Sequence, residues 1–166
     1  MDIFKVLSDS IFKMEKIIVI ILLPMLLLSL FADVLFRYAF NSPLLWAQEV
    51  ALFTFIFASF IGASMSVKLR EAVTVTILVD RLNDTLRNVL IIIGLFISLL
   101  FTVGLFYLSI KWISNPNILH QKSVTSQIPM IFPYLSIPIG FLFMVIHFIH
   151  LLIDSLRVAS ERKVVK

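Results

Sequence analysis

Residues 17–32 read IIVIILLPMLLLSLFA, sixteen positions without a charge, and Asp33 and Arg37 follow directly. A helix needs about 20 mostly apolar residues to cross the hydrocarbon of a bilayer. The run therefore predicts a spanning helix from about Ile17 to Phe36. It does not read as a cleaved leader. Its apolar core exceeds a usual leader core, and no small-x-small site follows it before Asp33.

Three further segments satisfy the same length rule, at about Leu44–Val67, Asn88–Trp112 and Met130–Ile153. The composition agrees. Of 166 residues, 60% are hydrophobic and 14% charged, whereas a soluble domain is nearer one quarter charged. The sequence thus predicts one all-α membrane domain over residues 1–166, with four transmembrane helices. There is no cysteine, which excludes disulfides and thiolate chemistry.

The joints carry turn and cap residues. Asn41-Ser42-Pro43 predicts a tight turn, with Ser42 as N-cap and Pro43 as first helical residue of the second span. Asp84 is placed to cap the third. Asn115-Pro116-Asn117 ends it, and Pro129 precedes the fourth. Pro133 and Pro138 are expected to distort the start of that fourth helix, and Pro24 to kink the first.

Lys and Arg fall unevenly. Lys5, Lys13, Lys16, Lys68, Arg70, Arg81, Arg87, Arg157, Arg162, Lys163 and Lys166 lie on one side of the predicted membrane. Only Arg37, Lys111 and Lys122 lie on the other. Cytoplasmic loops are enriched in Lys and Arg, so both termini are expected in the cytoplasm. The net charge of +4 is explained by this bias and calls for no nucleic acid.

Residues 2–14 predict an amphipathic interfacial helix. Ile3, Phe4, Leu7, Ile11 and Met14 repeat at helical spacing, opposite Asp2, Lys5, Ser8, Asp9 and Lys13. A second short amphipathic helix is expected over about Thr74–Leu82.

Charge inside a membrane costs roughly 2.5–3.5 kcal/mol at a helix centre and so needs a reason. Asp33 and Arg37 share a helix face. With Gln48 and Glu49 just past the turn, they predict one polar cluster near the outer ends of the first two helices, flanked by Tyr38 and Trp46 in the aromatic belt. The cluster reads as a lock between helices, or to a partner chain. The rival reading is a substrate or proton site of an autonomous transporter using Asp33 and Glu49. His147 and His150, three apart, suggest either an interhelical hydrogen bond or, less readily, a haem site lacking a facing ligand. Small residues at spacing four, Ala58, Gly62 and Ser66 and then Gly94, Ser98 and Thr102, mark two stripes for close packing within the chain or against a partner. No nucleophile–base pair, phosphate loop, metal motif or cofactor motif is legible, and no enzymatic activity is expected.

The run from Asp33 through Arg37-Tyr38-Ala39-Phe40-Asn41-Ser42-Pro43 to Trp46 and Gln48-Glu49 resembles the signature of the small membrane subunit of tripartite ATP-independent periplasmic (TRAP) transporters. Phe60-Ile61-Gly62-Ala63-Ser64 and Ile137-Pro138-Ile139-Gly140-Phe141 are similar as well. Arg70-Glu71-Ala72-Val73 departs from the family in lacking a histidine after the arginine. The resemblance implies a large membrane subunit and a periplasmic substrate-binding protein as partners. It further implies sodium-coupled uptake of an organic acid of sialic acid or dicarboxylate type, with Asp33, Arg37 and Glu49 holding the first hairpin in shape.

Overall fold

The computed structural model describes residues 3–69 and 84–164. The helix expected over Thr74–Leu82, and the side chain of Asp84, lie outside the described residues. The elements are α1 (Ile3–Ala39), α2 (Leu45–Lys68), α3 (Asp84–Ile113), α4 (Pro116–Leu119), α5 (Ile131–Tyr134) and α6 (Ser136–Val164). Among the described residues, four helical segments are long and apolar enough to cross a membrane: Ile3–Ala39, Leu45–Lys68, Leu86–Ile113 and Ile131–Ala159.

The helix expected over residues 2–14 is present from Ile3, but it does not end before the first span. α1 runs unbroken for 37 residues and carries Pro24 inside it. Its orientation also differs from a simple amphipathic reading. Ser8 and Glu15 are buried together with Ile11, while Ile3, Phe4, Leu7 and Met14 are exposed. Periodicity decides which residues share a face; in lipid the apolar face is the one free to turn outward.

The fourth span begins in two pieces, as its prolines foretell. One turn, α5, ends at Tyr134 with Leu135 as its C-cap, and Ser136 Oγ donates to the Pro133 carbonyl at 2.6 Å where α6 starts. Asn115 Oδ1 accepts from the Asn117 N–H at 3.0 Å and caps α4.

α1 packs along α2, α2 along α6, and α6 along α3, with α1 also touching α6. The inner pair is therefore α2 and α6. Of their most apolar windows, 28% and 39% are buried, against 6% for α1 and 11% for α3. The two flanking helices present most of their surface to lipid or to another chain. Val67, Leu95, Met144, Phe148 and Leu151 form the core between α2, α3 and α6.

Of the four glycines, only Gly140 lies against a neighbouring helix closely enough to exclude a Cβ. A Cβ there would lie 2.8 Å from Phe60 Cβ and 3.3 Å from the Phe60 carbonyl oxygen. Lipid supplies no hydrophobic drive between helices, so such close contacts carry the association. The small-residue stripes behave otherwise. A Cβ on Gly62 or Gly94 would meet nothing within 4 Å, so neither glycine serves close packing among the described residues. Ala58, Ser66 and Ser98 are half-buried. Thr102 is buried and donates its hydroxyl to the Ser98 carbonyl at 2.7 Å. The tightly buried line of α2 is instead Ala47, Ala51, Thr54, Ile61, Ser64 and Val67.

Candidate functional site

Asp33 sits on the last turns of α1, buried to 5% exposure. Its Oδ2 accepts from Arg37 Nη2 at 2.6 Å and from Gln48 Nε2 at 3.0 Å. Its Oδ1 accepts from the Leu44 N–H at 3.1 Å. One carboxylate thus ties together its own helix, the turn and the next helix. Arg37 is reached because it lies one turn on along α1. Its side chain is half exposed, so the charge can extend to the headgroup level.

Asn41 makes the turn possible. It holds φ at 49°, in the left-handed region that asparagine tolerates better than most residues. The expected cap at Ser42 is not formed. α2 starts at Leu45 with Leu44 in the cap position and no side-chain cap of its own. Asp33 takes over that role from the neighbouring helix by accepting the Leu44 N–H. Pro43 lies before the helix, not in it.

Glu49 does not join the Asp33 cluster, contrary to the expectation of one group. It faces the long loop after α4. Its Oε1 accepts from the Thr125 N–H at 2.8 Å and its Oε2 from the Ser126 N–H at 2.9 Å. Successive backbone N–H groups make a small anion-binding concavity. The loop is folded back on itself to offer them. Ser123 N–H donates to the Ile128 carbonyl at 2.8 Å, Met130 N–H donates to the Gln121 carbonyl at 2.9 Å, and Gln127 adopts φ 55°. Glu49 therefore latches the 121–130 loop to α2 and does not shape the first hairpin. Replacing Glu49 by alanine is expected to accelerate hydrogen exchange at the Thr125 and Ser126 amides by about tenfold or more. Exchange mass spectrometry of a peptide spanning 121–130 checks this. Trp46 and Tyr38 are exposed at the same end. Trp112 meets Tyr134 edge-on at 4.8 Å.

A second polar network lies at the opposite end of the helices. Lys68 Nζ, at the end of α2, donates to Asp9 Oδ1 at 2.6 Å and to Ser8 Oγ at 2.9 Å. Ser8 Oγ lies 2.8 Å from His147 Nδ1, and His147 Nε2 lies 3.2 Å from Glu15 Oε2. Ser8, Glu15 and His147 are each 0% exposed. Of the two sequence readings of His147, the interhelical hydrogen bond is the one formed. Both of its ring nitrogens are engaged by side chains of α1. Glu15, Ser8 and Lys68 were not anticipated. Their signal was present in the 8, 11, 15 spacing and in the antiparallel hairpin, which brings the start of α1 beside the end of α2.

Residues 26–158 match the family model of the DctQ component of tripartite ATP-independent periplasmic transporters. The chain belongs to this family. Among DctQ-family relatives, it is 24% identical to the C4-dicarboxylate TRAP transporter small permease protein DctQ of Vibrio cholerae, over 87% of this chain and 70% of that one. It is 30% identical to the sialic acid TRAP transporter small permease protein SiaQ of the same organism, over 60% of this chain and 57% of that one. It is 29% identical to the isethionate TRAP transporter permease protein DctMQ of Oleidesulfovibrio alaskensis, over 69% of this chain but only 18% of that protein. This chain thus spans about a fifth of that longer relative and over half of the two small ones. Membership in a TRAP permease family, with four apolar helices, makes it a multi-pass inner membrane protein and a small transporter subunit.

Proposed function

We propose that this DctQ-family subunit braces a large membrane subunit and helps to seat a periplasmic substrate-binding protein, in sodium-coupled uptake of an organic acid. The carrying observation is where its polar groups go. Each carboxylate oxygen of Asp33 and Glu49 already accepts a hydrogen bond in an α1–α2 or α2–loop tie, so both side chains are engaged in holding the fold. This counts against an autonomous transporter using them. The flanking helices α1 and α3 keep broad apolar surfaces, including the unfilled space at Gly94, that suit a membrane partner. The DctMQ permease relative, whose sequence is several times longer than the matched part, supports a large permease as that partner. Relatives named for C4-dicarboxylate, sialic acid and isethionate have anionic substrates in common, and a sialic acid or C4-dicarboxylate type is the cargo proposed.

The test is affinity capture of the tagged chain from native membranes in mild detergent, followed by reconstitution. A stoichiometric partner with ten or more spans is expected. Sodium-dependent uptake of sialate or of a C4-dicarboxylate is expected with all three components and none with this chain alone. Uptake by the chain alone would refute the reading.

The proposal also places both termini in the cytoplasm and the 121–130 loop outside, on the strength of the Lys and Arg bias. The absence of native cysteine makes this easy to check. In spheroplasts an impermeant maleimide is expected to label Val124→Cys, which is 92% exposed, and to label Lys5→Cys only after permeabilisation.

A further inference from the structure

Asp9, Glu15, Lys68 and His147 bring four ionisable side chains from three helices to one end of the bundle. The directions of their hydrogen bonds follow from what each group can do. An ammonium only donates, so Ser8 Oγ accepts from Lys68. The serine hydroxyl hydrogen is then free for His147 Nδ1. With a neutral ring, Nδ1 is the acceptor, and the ring hydrogen sits on Nε2 and donates to Glu15 Oε2.

In that state the network carries one net negative charge, from Asp9, Glu15 and Lys68. Glu15 and His147 are sealed from solvent, and Glu15 Oε1 meets no donor among the described residues. A buried carboxylate so poorly compensated is costly. One added proton makes the network neutral, and there is a place for it. On Nδ1 it turns the ring into an imidazolium that donates to Ser8 Oγ and forms a full ion pair with Glu15. The serine oxygen then accepts from both Lys68 and His147, and its own hydrogen rotates away.

There is also a route. Lys68 can pass a proton to Ser8 Oγ as Ser8 passes its own to Nδ1, and Lys68 then regains one from water. The outer end of that route is open, since the Asp9 side chain is 47% exposed and that of Lys68 14%.

We infer that Glu15 and His147 form a binding site for one exchangeable proton, loaded through Lys68 and Ser8 from the end of the bundle where α1 begins. The hydrogen-bonded chain stops at Glu15, and the middle of α1 beyond it is apolar from Ile17 to Ala32 except for Ser29. The proton therefore enters and leaves by the same end. The site sets how firmly α1 is held to α2 and α6. Among the described residues, Lys5 and His150 also act on Asp9, Asp154 acts on His150, and Lys16 lies over the Phe12 ring on α1. This inference concerns the chain alone and stands whatever the cargo or partner.

The experiment is nitrogen NMR of the full chain in lipid nanodiscs, with labelled histidine rings, scanned over about pH 5 to 8. Three histidines are present, and His120→Gln and His150→Gln assign the third. Expected is a single step of the His147 ring between the neutral Nε2–H form and the imidazolium. At a pH where the native ring is charged, Glu15→Gln is expected to keep it neutral, and Ser8→Ala to slow the exchange without abolishing either form. Infrared absorption covers the case in which the carboxyl takes the proton: a carboxylic acid carbonyl band lost in Glu15→Gln also supports the site. A His147 ring fixed in one form across the range, with no such band, overturns the inference and leaves a purely structural hydrogen bond. If Glu15→Gln does not fold, the native titration decides alone.

Discussion

His147→Ala is expected to be the most destabilising single truncation in the chain, at about 3–5 kcal/mol. A cost of that order is typical when the partner of a buried charged group is removed and the charge is stranded. Glu15 would be left at 0% exposure with no donor to either oxygen among the described residues. Ser8 would lose its ring acceptor while still bound by Lys68. The paired change Glu15→Leu with His147→Leu is expected to recover most of the loss, because an apolar pair of similar volume removes the stranded charge. Chemical unfolding of the four species in detergent gives the coupling as a double-mutant cycle. Additive losses in that cycle would show that the two side chains do not act as a pair.

Gly140 carries the second large effect. Its missing Cβ is what lets α6 lie against α2 at Phe60, and the obstructing atoms are the Phe60 Cβ and carbonyl oxygen, which no rotamer change can move. Gly140→Ala is expected to cost about 1–3 kcal/mol, as overpacking of an interior does, and Gly140→Leu more. Displacement of α6 from α2 would also disturb the edge-on contact of Phe60 with Phe141 at 5.7 Å. Gly62→Ala and Gly94→Ala serve as controls. With open space at both positions, the isolated chain should unfold as the native one does, within about 1 kcal/mol and toward greater stability from helix propensity. A loss seen with either control only in the assembled transporter would place that glycine against a partner chain.

The sequence was most informative where interactions are local. Four apolar runs are read directly from length, and the Asp33–Arg37 pair follows from a spacing of four. Gln48 follows because a short turn brings the two helix ends together. Glu49 was misassigned for the opposite reason. Its partners are backbone amides 76 and 77 positions away, in a loop whose fold no residue pattern announces. The Glu15–His147 contact spans 132 positions and the Ser8–His147 contact 139, so only the packing of α1 against α6 reveals them. Glycine patterns were ambiguous for a further reason. Spacing four marks a helix face that can be approached closely, but not which chain approaches. Gly140, outside any small-residue stripe, drew no attention as a packing residue, although it is the one glycine whose position a Cβ could not share with Phe60.

The unbroken length of α1 has a consequence for the membrane that surrounds it. Glu15 and Asp33 are 18 residues apart on this one helix, which at about 1.5 Å per residue separates them by about 27 Å. That is close to the roughly 30 Å thickness of a bilayer's hydrocarbon layer. The two knots are thus spaced to match the two lipid surfaces, with a stretch of α1 between them that is apolar from Ile17 to Ala32 apart from Ser29. A thicker bilayer would draw one knot into the acyl chains, and a thinner one would leave apolar helix in water. Tilting can absorb part of either mismatch, but the hairpin as built is gauged to one thickness of lipid.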